Sequence, residues 1–170
     1  MAAQPRIGFL GAGMMAEALA KGFIKAGVAS ASGITATDIA QQRKDVFAAA
    51  GMGVVATSRE VRPSRSGCRL VHGVAAAAQA GRMGATLQRA LTRCAAPQVA
   101  ESADVLFVCV KPYGVKPLLQ ELAPVLTERH LIVSIAAGVT LADIEAAAGG
   151  KARAVRVMPN TPAMVGASPG

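Results

Sequence analysis

Gly11, Gly13 and Ala16 follow a short apolar run and open an amphipathic stretch, in the order Gly-x-Gly-x-x-Ala. In that context each has a job in holding a pyrophosphate: the first glycine permits a tight turn, the second lets backbone approach the phosphates, and the small third residue keeps the helix close to its sheet. The phosphates would rest on the free amides at the helix N-terminus, where the helix dipole favours an anion. Asp38 stands 22 residues after Ala16, where an acid commonly bonds a ribose 2′-hydroxyl of NAD. Its charge would repel the 2′-phosphate of NADP, whereas Arg43 and Lys44 close by would attract one, so the residues leave NAD and NADP both open. Asp38 also suits the end of a strand or the cap of the next helix.

These residues need a scaffold, and the flanking pattern supplies one. Arg6 to Gly11 reads as a strand, and the helix after it places Ala16, Leu19, Ala20, Phe23 and Ile24 on its apolar side before closing at Gly27. Ile34 to Thr37 is a second strand, Gln41 to Ala50 a helix, and Val54 to Ala56 a third strand. Strands are further predicted at Val105 to Val110, Leu131 to Ile135 and Ala154 to Met158, with helices at Gly114 to Leu126, broken by Pro117 and Pro124, and at Thr140 to Ala148. Strands alternating with helices across short links predict an α/β fold, a Rossmann-type doubly wound parallel sheet. Ligands of such sheets bind beyond the carboxyl ends of the strands. Three further motifs fall there: Val110-Lys111-Pro112, Ala136-Ala137-Gly138, and the loop from Met158 through Asn160 to Pro162. The small residues of the second suit close passage of a flat ring.

The charge is distributed unevenly. The 170 residues carry 18 Lys and Arg against 10 Asp and Glu, a net +8, yet six of the arginines and none of the acids lie between Arg62 and Gln98. The remainder, 12 basic and 10 acidic side chains, is nearly neutral. Ala, Gly, Arg and Pro make up 21 of those 37 residues, resembling translated GC-rich non-coding sequence, and the stretch interrupts a crossover that would otherwise be of ordinary length. Before it, Thr57-Ser-Arg-Glu60 has the capping-box pattern of a helix start. The expected organisation is one nucleotide-binding domain made of residues 1–61 and 100–166, a basic insert at 62–99 that is disordered or partly helical (Gln79 to Cys94), and a tail at 167–170. Lacking aromatics and any recognisable DNA-binding motif, the insert is not expected to bind nucleic acid. A non-catalytic basic binding module on a Rossmann scaffold is the alternative.

Three cysteines at unrelated spacings make neither a disulfide framework nor a zinc site, and Cys109 in its apolar run reads as a small core residue. His72 and His130 lie far apart and offer no site. No secretory or membrane-spanning run is present, so a reducing, cytoplasmic compartment is expected.

Four stretches together carry a resemblance to a known family: Ile7-Gly-Phe-Leu-Gly-Ala-Gly-Met-Met-Ala-Glu-Ala-Leu-Ala-Lys-Gly-Phe23, Ser102 to Pro112, Ser134-Ile-Ala-Ala-Gly-Val139, and Arg156-Val-Met-Pro-Asn-Thr-Pro162. They resemble the cofactor domain of pyrroline-5-carboxylate reductase. The resemblance implies hydride transfer from NAD(P)H to the C=N carbon of 1-pyrroline-5-carboxylate, giving L-proline. It would put the pyrophosphate on Leu10, Gly11, Ala12, Gly13, Met14 and Met15, the adenosine ribose at Asp38 and Ser58, and the nicotinamide beside Val110, Lys111, Pro112, Ala136 and Ala137, with Asn160 in the last strand-end loop. Two positions depart from the family: Asp38 stands where some NADPH-using members carry serine, and Ser58 where some relatives carry asparagine. It further implies an all-helical C-terminal domain, absent from this chain, that forms the homo-oligomer and meets the imino-acid substrate. A chain without it is expected to bind cofactor but not to reduce the imine. Another small-substrate NAD(P)-dependent reductase is the other enzymatic alternative.

Overall fold

The computed structural model describes residues 4–55 and 95–159. The capping box from Thr57, Ser58, the arginine-rich segment up to residue 94 and Asn160 lie outside them. Six parallel strands form one sheet: β1 (Ile7–Leu10), β2 (Ile34–Thr37), β3 (Gly53–Val54), β4 (Val105–Val108), β5 (Leu131–Ser134) and β6 (Arg153–Arg156). Their order is β3-β2-β1-β4-β5-β6, the Rossmann arrangement in which the chain winds outward from β1 in one direction and then in the other. The helices are α1 (Met14–Lys25), α2 (Gln41–Ala49), α3 (residues 95–102), α4 (Pro112–Leu122) and α5 (Leu141–Ala147).

Two apolar layers follow from strand alternation. On one face, Ile7 and Phe9 of β1 and Ile34 and Ala36 of β2 pack with Ala16 and Ala20 of α1 and Phe47 of α2. All four phenylalanines of the chain gather there: the ring centroid of Phe9 lies 5.1 Å from that of Phe107, 5.9 Å from that of Phe47 and 6.5 Å from that of Phe23. On the other face, Leu10, Leu106, Val108 and Ile132 meet α3, α4 and α5.

Two boundaries differ from expectation. Residues 95–99 of α3 lie inside the stretch expected as insert, and Ala95, Ala96 and Val99 are buried in the second layer. Composition alone had assigned these small residues to the Ala-rich segment, but as a helical face they cover β1 and β4. α4 starts at Pro112 and runs through Pro117 instead of breaking there. Proline suits the first helical position, and burial of Val115, Leu118, Leu119 and Leu122 outweighs the one amide that Pro117 lacks.

The contact of α3 with β1 is close. A Cβ added to Gly8 would lie 2.7 Å from Val99 Cγ1, 2.9 Å from Leu106 Cδ2 and 3.0 Å from Ala103 Cβ. We therefore expect Gly8→Ala to destabilise the chain by about 1–3 kcal/mol, the usual cost of overpacking, as read from the urea midpoint. His130 fixes the other end of α3. Fully buried, it accepts the Thr127 amide on Nδ1 at 2.9 Å and donates from Nε2 to the Ala100 carbonyl at 3.1 Å. It acts as a structural bracket.

Candidate functional site

The strand-end loops are stitched together by backbone bonds that extend the ladders past the strands. The Gly11 amide donates to Thr37 O at 2.9 Å, Cys109 to Leu10 O at 2.9 Å, Ile135 to Val108 O at 3.2 Å and Val157 to Ser134 O at 2.9 Å. The loops after β1, β2, β4, β5 and β6 thus share one edge of the sheet, and this edge holds every described residue of the expected site.

Gly11 has φ +104° and sits directly on β4: a Cβ there would come within 2.8 Å of Cys109 O. The turn therefore requires glycine. Gly13, the N-cap of α1, adopts ordinary extended backbone, and a Cβ there would meet nothing within 4 Å. Among the described residues no side chain caps this helix end, which leaves the first-turn amides at Met14 and Met15 without a capping partner, the condition in which a helix N-terminus receives an anion. Ala16 behind them is fully buried. Uncapped donors reached over a bare glycine fit a pyrophosphate.

Asp38 touches the same turn. Its Oδ2 accepts the Ala12 amide at 2.7 Å and its Oδ1 the Ala40 amide at 2.8 Å. Ending β2 and organising the turn into α2 are therefore real tasks of this side chain, and its carboxylate still has lone pairs to offer. Arg43 completes the arrangement: Nε donates to Ala12 O at 2.7 Å and Nη2 to Glu17 Oε2 at 2.8 Å. Both backbone polar groups of Ala12 are thus clamped, the N–H by Asp38 and the C=O by Arg43. Sequence reading had Arg43 as a phosphate attractor and missed Glu17 entirely. The two are 26 positions apart, and only tertiary contact joins them. Lys44, the other expected attractor, is buried.

Bonds from Lys21 first, then Arg43, hold the Glu17 carboxyl below its ordinary value of 4.5. A lowered folded pKa stabilises above the unfolded value and loses that contribution as pH falls through the folded one. Glu17→Gln is accordingly expected to flatten the fall in stability between about pH 5 and pH 3, measured as the urea midpoint against pH.

On the other half of the edge, Val110 is half-buried, Lys111 and Pro112 are exposed, and Lys111 is the N-cap of α4. After β5, the buried Ser134 hydroxyl accepts the Ala136 amide at 3.4 Å, Ala137 is exposed, and Gly138 turns at φ +75°. Ser134 was not foreseen, although it stands in the quoted motif. Burial pushes the Cys109 thiol up to about 12, as befits an inert core residue. Among the described residues, no group of His, Cys, Asp and Glu could hold a metal and no helix is long and apolar enough to cross a membrane.

The family model described as "NADP oxidoreductase coenzyme F420-dependent" matches residues 6–138. A pyrroline-5-carboxylate reductase of Arabidopsis thaliana is 35% identical over 162 residues, covering 95% of this chain and 45% of the relative. The chain thus spans about half the length of the curated relatives it matches. Among solved structures, a pyrroline-5-carboxylate reductase from Coxiella burnetii superposes with a TM-score of 0.68 at 27% identity, covering 96% of this chain and 47% of that one. The Plasmodium falciparum pyrroline carboxylate reductase with NADP bound shares the fold, with a TM-score of 0.64 at 21% identity, over 95% and 45% of the two chains.

Proposed function

Because the chain belongs to the family described as NADP oxidoreductase, coenzyme F420-dependent, we propose that it is the cofactor-binding part of a pyrroline-5-carboxylate reductase. The observation that carries this is the bare, uncapped start of α1 beside a turn whose backbone is clamped at Ala12 by Asp38 and Arg43. The reading assigns the pyrophosphate to Leu10, Gly11, Ala12, Gly13, Met14 and Met15 and the adenosine ribose to Asp38 and Ser58. Val110, Lys111, Pro112, Ala136, Ala137 and Asn160 border the nicotinamide. Residues 1–61 and the chain from 95 to 166 form its one domain, with the arginine-rich stretch as an insertion.

When bound, a reduced nicotinamide would supply a hydride to the carbon of a C=N bond, whose nitrogen would take up a proton. This chain's residues bind and orient: helix amides neutralise phosphate charge, Asp38 accepts a ribose hydroxyl, and the Ser134 hydroxyl fixes the Ala136 backbone against which a flat ring would lie. Recognition of the imino acid and assembly into a homo-oligomer belong, in this reading, to the whole protein as its relatives build it. A cytoplasmic location accords with a cysteine usage that offers no disulfide framework. The test is titration of the chain with NADH and NADPH, followed by nicotinamide fluorescence. Saturable enhancement with either is expected, and absence of enhancement with both overturns the proposal.

A further inference from the structure

Resting on that reading, the structure points to a preference that the residues alone left open: we propose that Asp38, with Arg43 drawn toward Ala12 and Glu17, makes this site select NAD(H) over NADP(H). A 2′-phosphate needs a cation or spare amides where β2 ends. Two bonds hold the Arg43 guanidinium toward α1, Nε to the Ala12 carbonyl at 2.7 Å and Nη2 to Glu17 at 2.8 Å. The carboxylate of Asp38 already holds the amides of Ala12 and Ala40, at 2.7 Å and 2.8 Å. Those two amides are thereby withdrawn from any phosphate oxygen. Lys44 is buried, with 3% exposure. What the described residues present there is a fixed anion with lone pairs to spare, which accepts from a ribose hydroxyl and repels a phosphate.

The same geometry separates two roles. Asp38 is the selector, because its charge distinguishes the two nucleotides. Arg43 is a positioning residue: it holds the turn and contacts neither form of the ribose.

Dissociation constants for NADH and NADPH, measured by nicotinamide fluorescence and by calorimetry on the whole chain, test both assignments. NADH is expected to bind at least about tenfold more tightly, a difference of about 1.4 kcal/mol. Asp38→Asn should narrow that ratio about tenfold or reverse it, while Arg43→Ala weakens both nucleotides by the same factor and leaves the ratio unchanged. NADPH binding as tightly as NADH to the unaltered chain overturns the preference while leaving the proposed function standing. Binding of neither overturns both. Asp38→Asn that weakens both nucleotides equally makes Asp38 merely structural. Arg43→Ala that weakens NADPH alone makes Arg43 a phosphate ligand, and each of these overturns the assignment concerned.

Discussion

Replacing Gly11 by alanine is expected to cost this chain about 3 kcal/mol or more of folding stability. Two costs combine. At φ +104° an L side chain is strained, by about 1–3 kcal/mol for a residue held in so sparsely populated a region. The new methyl would also lie 2.8 Å from Cys109 O, 3.0 Å from its carbonyl carbon and 3.3 Å from Val110 N. Those neighbours are backbone, bonded on through the Cys109 amide to Leu10 O, so neither can turn aside as a side-chain tip would. Overpacking of this kind costs about 1–3 kcal/mol. At about 2–4 °C per kcal/mol for a chain of this size, the melting temperature should fall by roughly 10 °C. An unchanged melt would contradict the close approach of the turn to β4.

Gly13→Val should do the opposite, sparing the fold and removing the ligand. Its backbone conformation, φ −65° and ψ 177°, is open to any residue, and the added Cβ meets nothing within 4 Å. The folding penalty should stay below about 1 kcal/mol, that of a poorer N-cap. The branched side chain instead fills the space through which phosphate oxygens would reach the Met14 and Met15 amides. Hydrogen bonds to a charged group contribute about 1.5–3 kcal/mol each. Loss of two therefore weakens binding of either nucleotide by roughly a thousandfold, at about 1.4 kcal/mol per factor of ten. Parallel melts and fluorescence titrations read both quantities on one sample. Wild-type affinity in this variant would remove the phosphates from the start of α1.

The contrast between these two glycines marks how far the residues alone reach. That both belong to one turn between a strand and a helix is legible from spacing and from the apolar run before them, and so is the Rossmann order of strands. Which of the two answers to the fold and which to the ligand depends on β4, a neighbour nearly a hundred positions away. The same limit hid the bonds of Arg43 to Glu17 and Ala12, since partners 26 and 31 positions apart leave no periodic trace. α3 was misread for another reason. Ala95, Ala96 and Val99 look like part of an alanine-rich segment until the closeness of Gly8 shows that small residues are what its packing demands.

The chain's aromatic layer is built entirely of phenylalanine, and with no tryptophan and a single exposed tyrosine, Tyr113, the molecule is almost dark in the near ultraviolet. Unfolding must therefore be followed by circular dichroism or calorimetry, because no indole reports on the core. The reduced nicotinamide ring, by contrast, would emit against an almost empty background, with one phenol in the first turn of α4 as the only protein chromophore near the proposed site.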